Sequence, residues 1–339
     1  MSADRLADYA AFLTAAGWDG ARRQPLAGDA SARRYDRVTK AEGSQRAVLM
    51  DAPVGTGEEI QPFLGIARFL RDCGFSAPRI YHEDEDTGLI LMEDLGDDLY
   101  ARLCSRDPAS ETLIYGAAVD LLASLHRFQP PAGLPPYSAA VYADEAKLMV
   151  DWYHPAATGK KLSPKHQAEY LKLVSSTTTR FAPDRSVCVL RDYHAENLLW
   201  LEDRCGLARV GLLDFQDALL GHPAYDLVSL LEDARRDTSP ELRQMMQDRY
   251  IRLSQVDRKE FLAAYAALGA QRNLKIIGIF TRLCQRDGKA QYLDMIPRVW
   301  AHLANDLRHP CLAELSLFVS LHFQVPTPAI LARIRQGRA

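Results

Sequence analysis

Two acids and an amide, Asp192, Asp214 and Asn197, carry the chemistry legible in this 339-residue sequence. The run VCVLRDYHAENLLWL, 187 to 201, sets Asp192 and Asn197 five residues apart in a polar knot between two apolar stretches. A further apolar stretch, ARVGLLDF, brings in Asp214 near its end. A polar loop held between strands is placed rigidly, and a catalytic carboxylate requires rigid placement. Oxygen donors alone suit magnesium, which keeps several waters and takes its remaining ligands from substrate phosphates. Singly, Asp192 or Asn197 reads better as a turn cap. Together, D-x-x-x-x-N and the following D-F pair point to phosphoryl transfer, where a protein positions an acceptor hydroxyl, removes its proton and screens nucleotide charge with metal. In that reading Asp192 is the base, and Asn197 and Asp214 hold Mg2+.

The rest of the chain must position these groups. With 47% hydrophobic residues and both charge signs interspersed, it can bury a large core as one two-lobed unit or two domains. A formal net charge of -3 and a pI near 6.3 give no basic field for nucleic acid, so a small-molecule substrate is expected. Six cysteines lie scattered with no CxxC pair or metal spacing, as in a protein with reduced thiols. The opening MSADRLADYAAFLTAAGW is charged and apolar at helical spacing, neither signal peptide nor membrane span. The expectation is a cytoplasmic monomer without a membrane or nucleic-acid partner.

Short extended pieces at 24–26, 33–38 and 45–50, with turns at Gly28 and Gly43, predict a meander. A helix is predicted over 57–72, ended by Gly74, and two more strands near 79–82 and 88–92. Beyond Glu93 the pattern becomes helical, at 116–128, 145–154, 166–181, 240–253, 259–283 and 292–307. Strands at 186–190, 197–201 and 208–215 interrupt it, with Asp203, Arg204 and Gly206 as the turn between the last two. The patch QPPAGLPPY, 129 to 137, reads as a rigid connection.

RDYHAENLLW followed by GLLDFQDALLGHPAYDLVSLL resembles the aminoglycoside phosphotransferase and choline kinase family, over nearly the whole chain. LAGDASARRYDRV and RDGKAQYLDMIPRVWAHLANDLRHPCL look closest to its branch that phosphorylates N-acetylmuramate and N-acetylglucosamine at the anomeric carbon in cell-wall sugar recycling. The resemblance implies an α+β, protein-kinase-like two-lobed fold. A small antiparallel-sheet, nucleotide-binding lobe would span 1–95, with a hinge at 93–96, and a larger, mostly helical lobe with catalytic loop and acceptor site would span 97–339. It implies ATP and Mg2+ as cofactors, an amino sugar as acceptor, and Asp192, Asn197 and Asp214 in the roles given above. LMEDLG, 91 to 96, would be the hinge, with backbone groups of Glu93 to Leu95 meeting adenine beside Val48. Gly28, Asp29, Ala30 and Ser31 would open the phosphate-covering turn, where small residues let N–H groups approach anionic oxygens.

Two positions depart from the family. Its histidine two places before the base is Leu190 here, and its third-strand lysine falls at Met50, on the same side as Val48. Arg33 or Arg34 is expected to meet the phosphates instead, which leaves Glu58 or Glu59 as a solvated helix face. Asp226 is expected to cap its helix or brace the catalytic loop, and Asp217 to contact substrate. His194 is read as a sugar-hydroxyl partner or a structural group, and Trp152 and Tyr153 as a platform for a sugar ring or as core. The acids of 84–88 and 232–237 read as surface. Rival readings are an aminoglycoside, choline or homoserine kinase, a metal-dependent hydrolase using Asp192, His194 and Asp214, and a nucleotide-binding pseudokinase.

Overall fold

Apolar residues at helical spacing in the first segment set the start of the fold. The computed structural model describes residues 3–26, 33–40, 43, 45–55, 57 and 59–337. Helix α1 (Ala3–Ala15) buries Tyr9, Phe12 and Leu13 along one stripe. Strands β1 (Arg22–Pro25), β2 (Arg34–Thr39) and β3 (Arg46–Asp51) follow, then α2 (Gln61–Asp72), β4 (Ile80–Asp84), β5 (Leu89–Glu93) and α3 (Tyr100–Arg106). The five strands form one antiparallel sheet in the order β1-β2-β3-β5-β4, with Met50 opposite Tyr35 on one side and Ile90 on the other. Phe12, Leu13 and Trp18 pack on Val38, Leu49 and Leu91 of this sheet. Asp51, at the end of β3, ties α1 down: it accepts hydrogen bonds from Arg5 and, at 2.5 Å, from Tyr9.

Helix α2 starts at Gln61, not at residue 57. Gly55 and Gly57, at φ +83° and +82°, hold the preceding chain in left-handed conformation, and Pro62 sits in the first turn, where its missing N–H costs nothing.

The chain continues through α4 (Glu111–Leu125) and α5 (Ala139–Leu148) to a π-helical turn (Met149–Tyr153), α6 (His154–Thr158) and α7 (Pro164–Phe181). Three-residue strands follow: β6 (Val187–Val189), β7 (Leu198–Trp200), β8 (Val210–Leu212) and β9 (Leu219–Gly221). They do not form one hairpin. β6 pairs with β9 and β7 with β8, so the polar loop joins two separate ladders. Helices α8 (Ala224–Leu231), α9 (Pro240–Ser254), α10 (Arg258–Asp287), α11 (Ile296–Asp306), α12 (Ala313–His322) and α13 (Pro328–Gln336) complete the fold. The helix expected over 292–307 begins as a 3-10 turn, Ala290–Met295, before Pro297 opens α11.

Two compact units result, one comprising Met1–Ser110 with Glu196–Ala218, the other Glu111–Ala195 with Leu219–Ala339. The first therefore runs past the 93–96 boundary expected from the sequence and takes in the β7–β8 hairpin. The core of the second centres on α10, whose apolar residues Leu274, Ile277 and Phe280 meet Tyr170, Leu293 and Val299. Gly278 permits this: a Cβ there would lie 2.3 Å from the carbonyl carbon of Leu148 on α5. No helix among the described residues is long and apolar enough to cross a membrane.

Candidate active site

Asp192 sits in the loop after β6, where the backbone turns tightly. Its N–H donates to Leu190 O at 2.9 Å, and the His194 N–H donates to Asp192 O at 3.1 Å. Arg191 reaches φ +71°, a costly conformation for a side-chain-bearing residue that its surroundings must enforce. Three anchors do so. Asp226, fully buried in the first turn of α8, accepts the N–H groups of Leu190 and Arg191 at 2.7 and 2.8 Å. Tyr193 donates its hydroxyl to Ala118 O on α4 at 2.9 Å. Arg191 pairs with Glu145 on α5 at 2.5 Å, its guanidinium lying 5.4 Å from the centre of the Tyr137 ring. Glu145 also takes Lys275 of α10 at 2.8 Å and Tyr137 at 2.5 Å.

The electrostatics suit a base. Burial opposes charge on Asp192, but Lys275, His194, Arg272 and Arg191 outweigh it and hold the carboxyl below the usual carboxylate range. Asp192 is therefore ionised at neutral pH. Glu145 is held low in the same way, against burial, by Lys275 and Arg191. Burial pushes Asp226 up to about 7, while its two N–H donors and Arg272 favour its charged form. His194 is buried, its Nε2 lies 3.4 Å from Arg235 Nη1, and burial lowers its pKa.

In the other unit, the β7–β8 hairpin brings Asn197 and Asp214 together. Leu198 pairs with Leu212, and the Leu213 N–H donates to Asn197 O at 3.0 Å. Asn197 Nδ2 then donates to Asp214 Oδ2 at 3.2 Å, and Gln216 Nε2 to Asp214 Oδ1 at 2.8 Å. Asp214 stands at φ +57°, a left-handed conformation, and the next residue, Phe215, stacks on Phe63 of α2 at 5.0 Å. Asn197 thus meets Asp214 through its amide nitrogen; the carboxylate and the amide oxygen are the donor types that a hard cation takes when it brings its own water and phosphate. Among the described residues no cluster of three or more His, Cys, Asp and Glu offers an all-protein metal cage.

On the nucleotide side, Met50 is wholly buried, so β3 offers no cation there; Val48 is nearly so. Arg33 is buried and Arg34 exposed. Gly28, Asp29, Ala30, Ser31 and Glu58 lie outside the described residues, and Glu59 is exposed. The Glu93 N–H is given to Arg79 O at 2.8 Å, and its carboxylate takes Arg204 at 2.6 Å. Leu95 lies in the 94–96 stretch that Arg37 of β2 pins through Asp94 at 2.7 Å and Asp97 at 2.9 Å.

One expected substrate contact falls elsewhere. Tyr153 is not a sugar platform: it is fully buried and donates its hydroxyl to Gln324 O at 2.7 Å. The π-helical turn, wider than an α-helical one, sets it into the core and leaves Trp152 half-buried. Asp217 is exposed. Glu232 and Asp233 are buried, not surface acids. The sequence reading overlooked Glu145, Arg272 and Lys275; charged residues inside the apolar run of α10 were the available signal for the last two.

A short loop carrying an ionised, braced aspartate in a mostly helical unit, and a hairpin presenting an amide and a carboxylate in a unit built on a five-stranded antiparallel sheet, define a kinase-like phosphotransferase. The model of the phosphotransferase enzyme family matches residues 22–267, and the chain belongs to that family. It is 38% identical to the N-acetylmuramate/N-acetylglucosamine kinase of Caulobacter vibrioides, over 96% of this chain and 99% of that one. To the kinase of the same name from Pseudomonas aeruginosa it is 34% identical, over 86% of each chain. The fold is similar to an aminoglycoside phosphotransferase solved as a ternary complex with streptomycin and ATP, at 14% identity and a TM-score of 0.58, covering 87% of this chain and 98% of that one.

Proposed function

We propose that this protein transfers the γ-phosphoryl group of ATP to the anomeric hydroxyl of N-acetylmuramate and N-acetylglucosamine, with magnesium, in cytoplasmic recycling of peptidoglycan sugars. The observation that carries the reading is the identity with kinases of those two sugars along almost the whole chain. The loop chemistry supports it. Asp192, ionised and fixed by Asp226, Tyr193 and Arg191, accepts the proton of the attacking hydroxyl. A hemiacetal hydroxyl is more acidic than an ordinary alcohol, so one carboxylate is an adequate base. Asn197 and Asp214 would hold magnesium, which when bound screens the phosphate charge. Arg33 or Arg34 stands in for the cation that β3 lacks.

The test is phosphoryl transfer from ATP with magnesium to N-acetylmuramate, N-acetylglucosamine, kanamycin and choline, with the phosphorylated carbon located by NMR and Asp192→Asn run alongside. Phosphate on C1 of the two sugars, lost in the variant, is expected. Turnover of kanamycin or choline alone would overturn the acceptor assignment and keep the reaction class.

A further inference from the structure

Around Asp192 the helical unit gathers four basic side chains, and among the described residues only two of them are paired with a carboxylate. Lys275, Arg272 and Arg191 act on Asp192, and Arg235 stands against His194, two residues on. Arg191 and Lys275 are both paired with Glu145. Arg235 and Arg272 form no ion pair with a carboxylate among the described residues. Arg272 donates Nη2 to Ser229 Oγ at 2.8 Å, but its buried Nη1 has no hydrogen-bond partner among the described residues. Asp233 is the complement: one oxygen accepts the Arg235 N–H at 2.8 Å, and the other, buried, has no partner among the described residues. All three act on the His194 ring, as does Asp192. Buried donors and acceptors left unmet are rare and costly, and where they gather beside a reacting group a ligand is the natural source of the missing partners.

We infer that Arg235 and Arg272 form an anion subsite beside Asp192 that takes the carboxylate of an acidic acceptor, with Asp233 accepting from a hydroxyl or amide N–H of the same molecule. The inference rests on the sugar-kinase reading and deepens it. N-acetylmuramate carries a lactyl carboxylate that N-acetylglucosamine lacks, while both have hydroxyls and an acetamido N–H. The arginines therefore serve one sugar and Asp233 serves both. A planar guanidinium suits a carboxylate, and the half-buried Arg235 is the member open to make the first contact. An alternative anion, the phosphoryl group in transit, would involve the arginines equally with either acceptor.

The test is steady-state kinetics with both sugars for Arg235→Met, Arg272→Lys and Asp233→Asn, each checked for wild-type thermal unfolding. Arg235→Met is expected to raise KM for N-acetylmuramate about tenfold or more and to leave N-acetylglucosamine within about twofold. Arg272→Lys, which keeps charge and loses the fork, shifts the same ratio less, and Asp233→Asn raises KM for both. Equal losses on both sugars with Arg235→Met would overturn the subsite and assign the arginines to the phosphoryl group. A wild-type enzyme that turns over neither sugar would overturn the function reading, and this inference with it.

Discussion

Replacing Asp226 by Asn tests whether one buried carboxylate fixes the catalytic loop. Its two oxygens each accept a backbone N–H, from Leu190 at 2.7 Å and Arg191 at 2.8 Å. Above about pH 8 the carboxyl, raised to about 7 by burial, is ionised, and hydrogen bonds to a charged group contribute about 1.5–3 kcal/mol each. An amide keeps one acceptor and turns an NH2 toward the other N–H, so Asp226→Asn loses one such bond and sets donor against donor. The expected loss is about 2–3 kcal/mol, or roughly 5–10 °C in the unfolding midpoint of a unit of this size. The backbone that relaxes is that of Leu190 and Arg191, immediately before Asp192. A displacement near 1 Å at a catalytic group costs about 100-fold in kcat. The assay pairs thermal unfolding with kcat and KM for the acceptor. A fall in kcat with KM nearly unchanged is expected, because the acceptor still binds while the base is misplaced. A lowered midpoint with wild-type kcat would refute the reasoning, since Asp226 would then support the fold without positioning the base.

Three further outcomes follow from other parts of the molecule. Alanine at both Arg33 and Arg34 is expected to raise KM for ATP about tenfold, the scale of one lost charge-assisted contact to phosphate; an unchanged KM would leave the cation missing from β3 without a substitute. Asp51→Asn keeps one of the two oxygens that accept from Arg5 and Tyr9 and turns an NH2 toward the other donor, and hydrogen exchange at β3 should accelerate, with a stability loss of about 2 kcal/mol. His222 is lowered to about 4 by burial, so the folded state leaves it neutral while the unfolded chain protonates it below about 6.5. Its contribution is full above that pH and is lost as pH falls toward 4. His222→Asn keeps an acceptor for the Ala224 N–H that the ring now takes at 3.1 Å. The variant should lose less of its unfolding midpoint between pH 6.5 and 4, and an unchanged slope would show that the histidine is not neutral in the fold.

Local pattern made the short-range parts legible. A polar run between two apolar ones located Asp192 and Asn197, and period-four apolar residues located α1, α2, α9 and α10. Strand pairing was not legible, because β6 and β9 have three residues each and the partner of β6 arrives thirty residues later. Nor was the face of Tyr153, because a π-helical turn breaks the periodicity on which the expectation rested. The charge cluster joins Glu145, Arg191 and Lys275, three positions far apart in sequence that only tertiary packing brings together.

That cluster also bears on the departure at Leu190. A histidine at this place would brace the loop with a side chain, and Leu190 contributes only its buried apolar group and its backbone N–H. The bracing has other sources: Asp226 from α8 takes the backbone on one side of the base, Tyr193 reaches α4 on the other, and Arg191 reaches α5. Each anchor comes from a different helix of the same unit, so no one of them alone sets the loop. The positive φ at Arg191 is stable only because Asp226 holds its N–H while Glu145 holds its guanidinium. Glu145 is in turn held by Lys275, whose charge also keeps Asp192 ionised. Lys275 therefore links the geometry of the loop to the protonation of Asp192, and the leucine at position 190 leaves both intact.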